Sequence, residues 1–315
     1  MSLAERPSPA RGIALKLAAV AAFVAMATCI KATAGHVPTG EAAFARALFA
    51  IPVILVWLAW RHDLRDGLKT RNPWGHAWRG LIGSMGMLTG FGALMLLPLP
   101  QATALSYAIP ILTVVLAAIF LGERIRVVRI SAVLMGLAGI SIILWPDLVD
   151  SADRSSDART LGVTLALFAA LFGATAQVVV RRLVRTEDTP AIVFYFMLAA
   201  TVVSLATWPL GVFGAWVVPT PLEAGLLVAS GLLGGLGQAL LTSAYRYADA
   251  SLIAPFDYAS MIFAIVIGYA LFDEVPKATT LVGAAVVIAA GALIIWRESR
   301  LGLKRGPTRR HTTPQ

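Results

Sequence analysis

Residues 106–123 read SYAIPILTVVLAAIFLGE, and residues 257–274 read DYASMIFAIVIGYALFDE. Laid one over the other, Tyr107 meets Tyr258 and Glu123 meets Glu274, with an apolar run between in both copies. At nearly the same offset, GIALKLAAVAAFVAMATCIKA from Gly12 lies over GVTLALFAALFGATAQVVVRR from Gly162. Those two share a glycine start, Leu15 over Leu165, Leu17 over Leu167, and a late cation, Lys31 over Arg181. Further on, GISIILW from Gly139 resembles GALIIW from Gly291. The chain therefore reads as one unit written twice.

What that unit is follows from composition. Of the 315 residues 58% are hydrophobic and 14% charged, whereas soluble domains carry about 25% charged residues. Crossing a hydrocarbon core takes about 20 apolar residues in a helix. Runs of that kind lie at 12–34, 42–60, 78–97, 102–121, 127–145, 160–180, 191–213, 222–244, 250–272 and 279–296. They fill most of the chain and leave no room for a soluble domain. Each copy holds five of them, and because five is odd, equivalent helices run in opposite directions. The expected fold class is all-α: a polytopic membrane protein of ten transmembrane helices in two inverted five-helix repeats. Its expected divisions are a cytoplasmic N-terminus at 1–11, a first repeat at 12–145, a periplasmic linker at 146–159, a second repeat at 160–297 and a basic cytoplasmic tail at 298–315. Two equivalent halves facing opposite ways can exchange conformations and open a midplane site to each side in turn.

The net charge of +9 raises nucleic acid as a partner, but the placement of the cations argues otherwise. Of the 26 Lys and Arg residues, 21 fall on the N-terminal side of the membrane and four on the other, with Arg46 inside helix 2. That asymmetry in short loops is the positive-inside signal, placing both termini in the cytoplasm of a cell whose inner membrane holds the chain. All eight tryptophans stand at or near run ends, where an amphipathic ring meets headgroups. The single cysteine, Cys29, excludes an internal disulfide and reads as a small packing residue.

The ten-helix duplication is joined by the arginine in FARALFAIPVILVW (44–57) and by the closing Gly122-Glu123 of the 106–123 run. With APFDY (254–258) and the second acidic closure at Asp273-Glu274, this ordered set resembles the EamA-type family of the drug/metabolite transporter superfamily. The likeness runs over about residues 12–297. It implies a secondary transporter of small metabolites such as amino acids or nucleotide derivatives, often an exporter. It also implies a central cavity between helices 1–4 and 6–9, with helices 5 and 10 peripheral. The expected partners are a small metabolite and the lipid bilayer. Proton coupling and a homodimer stay open, and no cofactor, metal or nucleic acid is expected.

Several residues are candidates for the site. Asp257 lies inside an apolar run two residues after Pro255, which cannot donate a backbone hydrogen bond. It reads either as a cation or proton site on the cavity or as a cap for local amides at the headgroup level. Arg46 has two readings as well, contact with an anionic substrate group or snorkelling to the outer interface beside Glu41. Glu123 and Glu274, at the ends of helices 4 and 9, read as helix-end or gating groups. Gln177 and Gln238 lie well inside helices 6 and 8, where an interhelical hydrogen bond is the default and substrate contact the alternative. Tyr107, Tyr195, Tyr245, Tyr258, Phe44 and Phe172 are candidate cavity aromatics, the repeat singling out Tyr107 and Tyr258. Pro110 is expected to kink helix 4. The spacings Gly86 to Gly90 and Gly231 to Gly235 permit close helix approach.

Two rival readings are of other classes. An intramembrane enzyme needs a nucleophile or metal constellation, yet the four histidines fall in loops and tail, and no HExxH, GxSxG or CxxC occurs. A non-transporting subunit of a membrane complex has no need of inverted halves or of a carboxylate within a span.

Overall fold

The computed structural model describes residues 9–60, 67–121, 127–149, 155–184, 186–247 and 253–302. All regular structure among the described residues is helical. In chain order the helices are α1 (Pro9–Ala32), α2 (Thr39–Trp60), α3 (Pro73–Leu96), α4 (Leu99–Ser106), α5 (Ala108–Leu121) and α6 (Val127–Val149). The second half holds α7 (Ser155–Leu183), α8 (Thr189–Leu205), α9 (Thr207–Leu210), α10 (Pro221–Tyr247), a 3₁₀ turn (Ala254–Tyr258), α11 (Ala259–Phe272) and α12 (Ala278–Gly302). Among the described residues, α1, α2, α3, α7, α10 and the α8–α9 stretch are long and apolar enough to cross a membrane, and shorter apolar stretches lie in α6, α11 and α12. The fold is that of a polytopic membrane protein.

Prolines set the interruptions. Pro110 has no N–H for the carbonyl of Ser106, and its ring crowds that carbonyl. The expected kink is a one-residue interruption at Tyr107, between α4 and α5, where Tyr107 itself stays in the right-handed helical region. Pro209 stands in the same relation to Leu205, where α8 stops before the short α9. Pro255 lies in the 3₁₀ turn that precedes α11.

The surface and the interior are exchanged relative to a soluble protein. Trp60, Trp74, Trp145 and Trp208 are exposed, as are Val56, Phe120, Ile262 and Leu271. Fully covered positions are rich in alanine, among them Ala19, Ala42, Ala47, Ala50, Ala200, Ala264 and Ala290. Lipid tails are as apolar as leucine, so small side chains that bring backbones together supply the packing. The α6–α12 seam is the tightest case: a Cβ on Gly139 would lie 2.8 Å from the carbonyl oxygen of Gly283, and one on Gly283 would lie 2.6 Å from that of Gly139.

Helix partners come in exchangeable sets. α1 packs on α10 and α7 on α3; α2 packs on α10 and α8 on α3; α5 packs on α7 and α11 on α1. Exchanging α1, α2, α3, α5 and α6 with α7, α8, α10, α11 and α12 turns each pair into its mate. The pairs α2 with α8 and α6 with α12 map onto themselves.

Candidate functional site

Charged side chains are buried between helices at four places. Near the start of α1, Lys16 is 2% exposed, and its Nζ lies 2.7 Å from Asp257 Oδ1. The carboxylate side chain is itself 55% exposed, so the buried cation is held by a partner that also meets water. Beside it, Ser260 Oγ donates to the Asp257 carbonyl at 2.7 Å and lies 2.8 Å from the Tyr107 hydroxyl. The rings of Tyr107 and Tyr258 meet edge to face, 5.2 Å apart. The break after α4 and the 3₁₀ turn before α11 bring these groups together, so both irregular stretches of backbone serve one cluster.

Lys31 sits fifteen residues beyond Lys16, about 22 Å further along α1. Its Nζ lies 2.9 Å from Glu274 Oε1 and donates to the carbonyls of Leu97 at 2.6 Å and Leu94 at 3.3 Å. Glu274 Oε2 accepts from the Leu99 amide at 2.7 Å. One ion pair thus ties together α1, the end of α3, the start of α4 and the end of α11. A pocket of about 340 Å³ opens alongside it, lined in part by Pro100, Gln101, Lys277 and Thr280. Glu123, the repeat counterpart of Glu274, lies outside the described residues.

The third place is deeper. Arg46 is 6% exposed and points inward. Its Nε donates to Met26 Sδ at 3.5 Å, and its Nη1 to Met87 Sδ at 3.4 Å and Met197 Sδ at 3.3 Å. The snorkelling alternative does not hold, for Glu41 is itself buried and accepts from the Val217 amide at 3.1 Å. Arg79 lies 4.1 Å above the Phe196 ring, with Nε and Nη1 buried and unpartnered.

The fourth place joins the start of α3 to the connection between α7 and α8, and it puts His76, expected in a loop, in the first turn of α3. His76 Nε2 lies 3.1 Å from Glu187 Oε2, the Arg71 amide donates to Glu187 Oε1 at 2.8 Å, and the His76 ring packs at a tilt against that of Tyr195, 4.8 Å away. Burial alone would raise the Glu187 pKa, but the hydrogen bonds from His76, the Arg71 amide and Thr70 outweigh it and hold the carboxyl below its ordinary value.

The remaining candidates have duller surroundings. Gln177 is exposed and accepts an interhelical hydrogen bond from Thr113 Oγ1 at 3.4 Å. Gln238 is half-buried in α10. Phe44 packs on Trp216, Phe172 on Phe168, and Tyr195 donates to the Leu68 carbonyl. The Tyr245 side chain lies outside the described residues. Lys16 and Arg79, counted above with the flanking cytoplasmic charge, both belong inside helices with their cations turned inward. That correction removes two cations from the basic side and leaves the sign of the asymmetry unchanged. The signal for Lys16 was present in the sequence, since it lies inside the first apolar run.

An all-helical membrane bundle with pairwise exchangeable helices and ionisable groups held between them has the architecture of a solute carrier. The chain belongs to the EamA-like transporter family, whose model matches it twice, over residues 10–145 and 160–296. A model of Solute carrier family 35 also matches residues 101–210. Among curated relatives, the S-adenosylmethionine uptake transporter of Rickettsia bellii is 30% identical over 84% of this chain and 86% of that one. The pseudopaline exporter CntI of Pseudomonas aeruginosa is 30% identical over 89% of this chain and 94% of that one. The riboflavin transporter of Rhizobium johnstonii is 28% identical over 84% and 83%. A solved crystal structure at 22% identity superposes with a TM-score of 0.63, covering 91% of this chain and 97% of the other, which is a likeness of fold. The protein is a multi-pass membrane transporter of small molecules.

Proposed function

We propose that the protein moves a small metabolite across the bacterial inner membrane by alternating access, as a secondary transporter without enzymatic activity. In this reading ten spanning segments form two inverted five-helix repeats, 12–145 and 160–297, with both termini cytoplasmic. The α4–α5 pair and the 3₁₀ turn with α11 count as one broken segment each. The observation that carries the reading is the pairing of α1 with the second repeat at two depths, Lys16 with Asp257 and Lys31 with Glu274. Ion pairs that cross from one repeat to the other can be made and broken as the halves rock, which buried apolar contacts do less selectively. Coupling is assigned to the first pair, because protonating Asp257 would release Lys16. Export is the proposed direction and rests on the family resemblance, while the relatives' names include both uptake and export.

The test begins with an untargeted comparison of metabolites in cells with and without the protein. Compounds that differ are then offered to the purified protein in vesicles. Saturable counterflow of at least one of them is expected. Vesicles that show no counterflow for any of the changed compounds would reject transport.

A further inference from the structure

Arg46 and Arg79 are explained neither by the helix packing nor by the ion pairs at the two ends of α1. Among the described residues no carboxylate pairs with either. The donors of Arg46 end on the sulfurs of Met26, Met87 and Met197, and thioethers are weak acceptors. Arg79 has one flat face on Phe196 and two buried nitrogens with no acceptor at all. A buried cation without an anion is costly, and a second one beside it adds repulsion. Charges kept inside a membrane protein at such a cost mark a solute path by default.

Space has been made for them. A side chain at Gly83 would collide with Arg79 Nη1 and with Phe196, and a Cβ on Gly234 would lie 3.1 Å from Arg46 Nε and 3.0 Å from Met26 Sδ. Gly83, against Arg79, and Met87, against Arg46, are four residues apart on α3, so the guanidinium groups are staggered by about 6 Å along the helix axis. The walls come from both halves: α1, α2 and α3 of the first, α8 and α10 of the second.

We infer that Arg46 and Arg79 together form the binding site for an oxyanion carried by the transported solute, with Met26, Met87, Met197 and Phe196 receiving its apolar part. The inference rests on the transport reading for the word transported, while the site stands on the geometry. A guanidinium presents a planar fork of donors matched to carboxylate and phosphate oxygens. Two forks at different heights give such a group a first and a second station along the bundle. The sulfur and aromatic lining is soft, adaptable and apolar, which suits a solute whose remaining surface is uncharged.

Thermal unfolding of the whole protein in detergent tests this without requiring translocation. The probes are 3-phenylpropionate, phenyl phosphate and the neutral 3-phenylpropionamide, at matched ionic strength. At least one of the two anions is expected to raise the midpoint of the native protein while the amide does not. Which anion does so distinguishes carboxylate from phosphate. Arg79→Gln and Arg46→Gln should each abolish the anion shift and, by relieving repulsion, raise the ligand-free midpoint by about 2–4 °C. Arg79→Lys keeps a charge but loses the fork, so it should retain a reduced shift. Equal stabilisation by the amide, no stabilisation by either anion, an undiminished shift in Arg79→Gln, or a lowered ligand-free midpoint in both glutamine variants would overturn the site. Anion binding without counterflow of any metabolite would remove the transport reading and leave the site in place.

Discussion

A lysine ammonium at 2% exposure persists between helices only because something repays its lost hydration, and at Lys16 that is the Asp257 carboxylate at 2.7 Å. The carboxylate is more than half exposed, so screening by water lowers what the pair contributes. Deleting the partner nevertheless strands the cation. Asp257→Asn is expected to cost about 1–2 kcal/mol, below the range for fully buried pairs. Lys16→Met with Asp257→Asn should recover most of that loss, because the methionine keeps the volume and drops the charge. Unfolding midpoints of the four proteins of this cycle give the coupling, and additive losses would show that the pair is not an energetic unit. The same Asp257→Asn protein should transport without pH dependence; an unchanged pH profile in vesicles would reject Asp257 as the coupling group.

Glycines of like spacing are unlike in their surroundings, which is a property of helix pairs and not of residues. A Cβ on Gly235 would lie 2.8 Å from Val53 Cβ and 3.0 Å from the carbonyl oxygen of Ala50, so α10 and α2 meet backbone to backbone. On Gly90 the nearest atom would be the Ala169 Cβ at 3.6 Å, an ordinary contact. Gly235→Ala must therefore push two helices apart, and overpacking of this kind costs about 1–3 kcal/mol. Gly90→Ala should be neutral or mildly stabilising, since alanine is the better helix former. Comparing the midpoints of the two purified variants decides it, and equal effects would mean that the α2–α10 seam can relax. The break at Tyr107 belongs to the same scale. Pro110 interrupts the helix, and the freed turn is where the Tyr107 hydroxyl reaches Ser260.

At the scale of the molecule, α1 is fastened to the second repeat at both ends, about 22 Å apart, and alternating access requires that one fastening yield at a time. In a Cys29→Ala background, Lys31→Cys and Glu274→Cys joined by a short bifunctional thiol reagent should hold the fastening at the C-terminal end of α1 shut. Counterflow is expected to fall at least tenfold on cross-linking and to return when a cleavable linker is reduced. Full activity of the cross-linked protein would mean that α1 and α11 travel as one body and that the opening lies elsewhere.

Membrane insertion, the placement of the helical runs and the duplication were all legible in the sequence, because hydropathy and repetition are properties of a chain read along itself. Among the described residues six helical stretches are long and apolar enough to span and shorter apolar ones lie in α6, α11 and α12, with breaks where Pro110 and Pro209 deny a bond to Ser106 and Leu205. Tyr107 and Tyr258 were paired by alignment, and contact between their rings followed only from the bundle. Lys16 and Arg79 lie inside the first and third apolar runs, yet their count with the flanking charge follows from their place in the first half of each helix, where a long side chain can turn either way. α1, apolar nearly all round, has no polar face to say which. The partners of Arg46 were equally out of reach, since Met26, Met87 and Met197 come from three helices and meet only in the bundle. Local chemistry decided what enters the membrane; the packing of distant helices decided which charges stay buried, and against what.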